Sequence, residues 1–204
     1  MAFFSVNEII DITVMTLALG FIFKDVFGSR FHMPGDKRKQ AEDPVEYYRS
    51  LGKRTSVSAG FKTAIYVAAP AVILHEIGHK VMAMSYGLSA EFNAAYFWLG
   101  LAVLLRLMNF GFVFFVPAYV SIYGQMTPLE SSIVAFAGPA VNLILFLGAW
   151  GLMKNKRFVK RYKQYLPVIW LTSRINLLLF VFNMLPIPMF DGWKVFSGLY
   201  YAFF

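Results

Sequence analysis

The stretch VILHEIGHKVMA, residues 72–83, decides how this chain is read. It continues an apolar run, yet His75, Glu76 and His79 interrupt it at close quarters. Ionisable side chains are costly in hydrocarbon, so those found there generally have a task. On a helix, positions i and i+4 share a face, so His75 and His79 project together at a spacing that suits one zinc ion. Glu76 stands beside the first of them, placed to take a proton from a water and pass it to a leaving amine. Gly78 leaves room for another backbone to approach closely. The bland alternative is a polar patch that pairs neighbouring helices.

The rest of the chain supplies the membrane. Of its 204 residues, 58% are hydrophobic and 15% charged, a balance foreign to soluble domains. Residues 107–129 and 131–153 carry no Asp, Glu, Lys, Arg or His, and each run of 23 residues can cross a hydrocarbon core of roughly 30 Å as a helix. The formal charge is +8, and its cations are clustered: eight Lys and Arg in residues 30–62, and six with no acid in residues 154–163. On a membrane protein such clusters reflect topology and contact with lipid headgroups, not nucleic-acid binding. The absence of cysteine excludes disulfides and Cys-ligated zinc. No basic n-region or small-residue cleavage site opens the chain, so no removable signal peptide is expected.

The expected architecture is an all-α polytopic membrane protein with about four to six transmembrane helices and a small membrane-embedded β hairpin or re-entrant element. A first helix, residues 8–27, and a basic connection form an N-terminal part, residues 1–59; a catalytic membrane core follows, residues 60–204. Within the core, helices are predicted at residues 60–86, 128–153 and 165–185, with a short one at 92–105 and a partial one at 193–204. The segment FGFVFFVPAYVSIYG, residues 110–124, is rich in β-branched and aromatic residues and is interrupted by Pro117. It reads as a β-like hairpin or re-entrant element, with a further helix as the alternative on periodicity.

A catalytic zinc usually has three protein ligands and an open position. The remaining histidine, His32, falls in the basic connection and reads as a surface residue. Asp191 is the better candidate. It follows sixteen uncharged residues, 175–190, where Pro186 and Pro188 break the helix. Irregular backbone at membrane depth is tolerated where it lines a cavity. An ordinary aspartate at a helix end is the alternative.

Three motifs, in order, resemble those of the site-2 protease family of intramembrane zinc metalloproteases, in particular its short prokaryotic, archaeal-type members. HEIGH resembles the zinc helix; AGPAVN, with Gly138, Pro139 and Asn142, resembles the central helix motif. NMLPIPMFDG, with Asn183, Pro186, Pro188, Asp191 and Gly192, resembles the third-ligand segment. The resemblance covers residues 64–195. It implies that His75, His79 and Asp191 bind zinc and that Glu76 is the catalytic base. It implies that Asn142 and Asn183 line the cleft, holding substrate backbone or an oxyanion; a helix-to-helix hydrogen bond is the alternative for each. It further implies substrates that are single-pass or other proteins of the lipid bilayer, cut within their transmembrane segments. Residues 110–124 resemble a membrane-embedded strand that could hold the unwound substrate by β-addition.

The chain also departs from the family. Phe190 stands where Leu often precedes Asp-Gly, and residues 91–109 read as an extra element. Many members carry further helices after Asp-Gly, whereas this sequence ends at Phe204, and no PDZ or CBS domain is legible. The basic clusters put the cytosol at one end of the helices, whereas the family's site lies nearer the cytosol than that places Asp191. Two other readings stay open. A prenyl-protein type of membrane zinc protease would use a Glu as third ligand, with Glu130 the candidate. A metal-binding transporter or non-catalytic scaffold would need more polar residues along its helices, of which Arg174 is the main one.

Overall fold

The computed structural model describes residues 3–28, 57–110 and 116–204. The polar connection with His32, and residues 111–115, lie outside them. Helix α1, Val6–Gly28, begins on a reciprocal cap: Glu8 N–H donates to Ser5 Oγ (3.2 Å), and Ser5 N–H donates to Glu8 Oε2 (2.8 Å). Helix α2, Val57–Ser85, carries HEIGH. It stops where Gly87 turns to φ +76°, a conformation that glycine adopts without steric cost, and Leu88 N–H closes back on Ala83 O at 3.2 Å. Strand β1, Ser89–Ala94, follows, then helix α3, Tyr96–Leu107, and strand β2, Ala118–Tyr123.

Helix α4, Pro128–Lys154, starts on a second reciprocal cap, between Thr127 and Glu130. The short helix α5, Lys156–Arg161, is capped by Asn155 and presents the second basic cluster. Helices α6, Leu166–Asn183, and α7, Asp191–Phe203, complete the chain, separated by the turn that Pro186 and Pro188 impose.

The helices expected from periodicity are present, with shifted ends. The β element differs in its pairing. Among the described residues of 110–124, strand β2 pairs antiparallel with β1, from Ser89 opposite Tyr123 to Ala94 opposite Ala118. The extra element at residues 91–109 is therefore half of the ribbon plus α3. Alternating burial at Ala90, Phe92 and Ala94 marks β1 as a strand, but two of these are alanines, so the apolar alternation is weak in the bare sequence.

Helix α2 is central, packing against α1 on one side and α4 on the other; α4 also meets α6 and α7. One core cluster joins Met15 and Leu19 of α1 to Ala69 of α2, Phe92 of β1 and Leu99 of α3. At the join of α1 and α2, Lys80 Nζ donates to Glu8 Oε1, and both side chains are buried. Helices α1, α4 and α6, the last with residues 163–165 before it, are long and apolar enough to cross a membrane. Helix α2 has the length, 29 residues, but carries His75, Glu76, His79 and Lys80. Only 17% of the apolar window of the α6 span is buried, so its remaining apolar surface needs lipid. The chain is a membrane protein, mostly helical, with a small two-stranded β element.

Candidate metal centre

The site forms where α2, α4 and α7 meet. The two histidines lie one turn apart on α2, and their roles in hydrogen bonding are fixed by acceptors behind them. His79 Nδ1 donates to the Val134 carbonyl of α4 at 2.8 Å. His75 Nδ1 donates to Asn142 Oδ1 at 2.6 Å. The orientation of Asn142 is set in turn, because its Nδ2 donates to Ala71 O (3.1 Å) and to Asn176 Oδ1 (2.8 Å). Asn176 Nδ2 donates to Thr172 O at 2.8 Å, completing a relay with one direction throughout. With Nδ1 carrying the proton, each neutral imidazole presents its Nε2 lone pair forward.

Those nitrogens converge. They lie 3.1 Å apart, and Asp191 Oδ2 is 3.1 Å from that of His75 and 3.3 Å from that of His79. Two lone pairs and a carboxylate oxygen at such distances repel one another unless a cation sits among them. A tetrahedral zinc with bonds of about 2.0–2.1 Å needs ligand atoms roughly 3.3–3.4 Å apart. The donor set therefore fits a metal ion of that size, with a fourth position left toward the cavity. Among the described residues, His75, His79 and Asp191 are the group of His, Cys, Asp or Glu that could hold one.

Asp191 reaches the site because α7 begins with it. Phe190 is extended ahead of the helix, and a carboxylate in the first turn suits the positive end of the helix dipole. The loop before it folds tightly, so that a Cβ on Gly192 would lie 2.5 Å from Leu185 O. Helix α7 is held to α4 by Ser132 Oγ, which donates to Val195 O at 2.8 Å. Close approach of α2 and α4 depends on two glycines. A Cβ on Gly78 would meet Ala137 O at 2.9 Å, as its place in HEIGH suggested. A Cβ on Gly138 would lie 2.8 Å from His75 Nε2 and closer still to His79. Gly138→Ala is therefore expected to cost about 1–3 kcal/mol of stability and to reduce zinc content. Thermal unfolding and elemental analysis of the purified variant check it; unchanged values for both would show that the rings move aside freely.

In front of the metal-ligand atoms lies a cavity of 480 Å³, lined by His75, Glu76, His79, Asp191, Asn183, Lys194 and, along one wall, residues 116–120 and Ile122 around β2. Glu76 is buried at the back, 8% exposed. Asn183 lines the cavity. Asn142 does not line it. It sits behind His75, fully buried, with its amide engaged on both sides. The role expected for Asn142 toward substrate thus gives way to a role in orienting a histidine, because every polar atom of its side chain is already taken. Glu130 is remote from this chemistry, its carboxylate accepting from Thr127 N–H at 2.8 Å in the cap of α4.

Two participants, Asn176 and Lys194, and one buried neighbour outside the cavity, Lys80, escape the sequence reading. Asn176 is hidden because an amide in an apolar helix has no motif of its own. Lys194 lies one turn after Asp191 and so shares its face. Lys80 follows His79 directly, and its charge within the membrane run was a signal available in residues 72–83.

Sequence comparison extends these observations. The chain is 35% identical over 196 residues to a protein of Methanocaldococcus jannaschii named as a candidate zinc metalloprotease, covering 94% of this chain and 84% of that one. It is 31% identical over 145 residues to a similarly named protein of Synechocystis, spanning 31% of that longer chain. A third so named, from Bacillus subtilis, is 27% identical over 143 residues, with 64% of its length covered. No protein-family model and no solved structure matches the chain.

Proposed function

Because the chain belongs to the site-2 protease family of zinc metalloproteases, we propose that it is a multi-pass protein of the cell membrane and an intramembrane endopeptidase, cutting transmembrane segments of other membrane proteins. The observation that carries this reading is the meeting of His75, His79 and Asp191 in one cavity with Glu76, among helices made for lipid. His75, His79 and Asp191 hold the zinc. When bound, the metal acts as a Lewis acid on a scissile carbonyl and makes water a stronger acid.

Glu76 takes the proton of the attacking water. It returns that proton to the amine as the carbon–nitrogen bond breaks, so that the products are a carboxylate-ended and an amine-ended fragment. Burial of Glu76 keeps competing water away and strengthens its electrostatic interactions. Asn142 and Asn176 hold the ring of His75, and the Val134 carbonyl holds that of His79. Such supporting bonds typically change metal affinity by about 10–100-fold.

A helical peptide offers no free main-chain groups, so the substrate must unwind before attack. Strand β2 lies on the cavity wall, and an extended peptide added to its edge recovers in lipid the hydrogen bonds lost on unwinding. Asn183 lines the same cavity and can donate to the substrate backbone. The capping duty of Glu130 disfavours the reading with a glutamate ligand.

Reconstitution of the pure protein with a single-pass peptide substrate tests the proposal. Cleavage at a peptide bond inside the hydrophobic stretch, abolished by chelation and restored by zinc, is the expected result. Cleavage confined to bonds outside that stretch would assign the enzyme to surface proteolysis instead.

A further inference from the structure

A two-stranded ribbon in a membrane has two bare edges, and each unpaired N–H or C=O there is costly. The ribbon here has only one edge on the cavity. The other belongs to β1 and lies along α1, where two carboxylates meet it. Glu8 Oε1 accepts from Phe92 N–H at 2.7 Å, and Asp11 Oδ2 accepts from Ala94 N–H at 3.1 Å. The spacings match: residues i and i+3 of a helix face one side, and residues i and i+2 of a strand turn their N–H groups to one side.

The second oxygen of each carboxylate is also engaged. Asp11 Oδ1 accepts from Tyr96 Oη at the start of α3, and Glu8 Oε2 accepts from Ser5 N–H. Lys80 Nζ donates to the same Oε1 of Glu8 that holds the strand, so the zinc helix, α1 and β1 meet at one oxygen.

The pairing then fixes what β2 offers. Since residues 92 and 94 turn their main-chain groups to α1, residues 89, 91 and 93 face β2 and meet 123, 121 and 119. By alternation, Ala118, Val120 and Ile122 of β2 direct their main-chain groups away from β1, and all three line the cavity.

We infer that Glu8 and Asp11 are positioning residues: they seal the outer edge of β1 and hold the ribbon so that the edge of β2, through residues 118, 120 and 122, is the one a peptide can join. This rests on the proposal that substrate adds to β2. Removing the seal leaves the metal site in place and loosens the ribbon. A peptide must then order the ribbon as it binds, and that cost falls on binding, not on the chemical step.

The test uses the full chain in lipid and must separate sealing from charge neutralisation, because Glu8→Leu alone would strand the Lys80 cation. The double variant Glu8→Leu/Lys80→Met removes both charges and keeps side-chain bulk. It is expected to bind zinc and retain kcat within about twofold while KM for the transmembrane peptide rises roughly 10-fold, the scale of one charge-assisted hydrogen bond. Lys80→Met alone leaves Glu8 with its bonds from Phe92 N–H and Ser5 N–H, so the Phe92 amide should keep its exchange protection there, and lost protection in that variant would assign the effect to the charge pair instead of the seal. Hydrogen exchange adds a reading independent of activity: the Phe92 amide loses protection in the double variant, and the Ala94 amide in Asp11→Ala. Wild-type KM and protection in the double variant would overturn the inference. If the wild type cleaves no transmembrane peptide, the proposed function fails, while the exchange data still decide the edge seal.

Discussion

Glu76→Gln is expected to keep zinc at the wild-type level and to lose cleavage of a transmembrane peptide by about 10³-fold, within the span typical of general acid–base catalysis. Gln has almost the shape of Glu but cannot accept the proton of the attacking water. The side chain is buried at the back of the cavity, so no bulk base stands in for it. Nor does it belong to the cluster of three ligand atoms, so its loss should leave metal affinity alone. Zinc content and initial rate, measured on the same preparation, check both halves. An undiminished rate would remove Glu76 from the mechanism. Joint loss of zinc and rate would show that it supports the metal site instead of moving a proton.

The parts of this site differ in how far they could be read from the residues. His75, Glu76 and His79 were legible because the chemistry lies within one helix turn and a half, where spacing alone fixes geometry. Asp191 sits 112 positions beyond His79 in sequence, and nothing local tells that α7 begins beside α2; motif order carried it there. The pairing of β2 was obscured because antiparallel register is set by a partner on the far side of α3 in sequence. Pro117 and the β-branched residues marked extended backbone without saying what it meets. Asn142 carried two readings in the sequence, and its bonds to His75, Ala71 and Asn176 on neighbouring helices fit the helix-to-helix one. Whether a buried amide faces a cavity or a histidine depends on about a quarter-turn of helix, which periodicity does not resolve. The basic residues of 154–163 were read for topology, and the structure adds only that four of them lie in a short helix, α5, capped by Asn155.

Asp191→Ala should weaken zinc binding by more than about 100-fold, beyond the roughly 10–100-fold typical of losing a supporting hydrogen bond. The variant removes a carboxylate but little of the scaffold. Helix α7 stays fastened to α4 through Ser132 and Val195, and the close packing of Gly198 on Pro128 O is unaffected. The two histidines keep their bonds to Asn142 and Val134. Two imidazoles alone leave the ion short of the three protein ligands usual in a catalytic zinc site. Elemental analysis after dialysis against a weak chelator, with circular dichroism as a control for folding, reads the effect. Glu130→Ala belongs in the same experiment, since it is the ligand in the competing glutamate reading. Its carboxylate caps α4, so that variant should lose some thermal stability and retain zinc. Zinc lost from Glu130→Ala and kept by Asp191→Ala would reverse the assignment and require α4 to enter the site by its first turn.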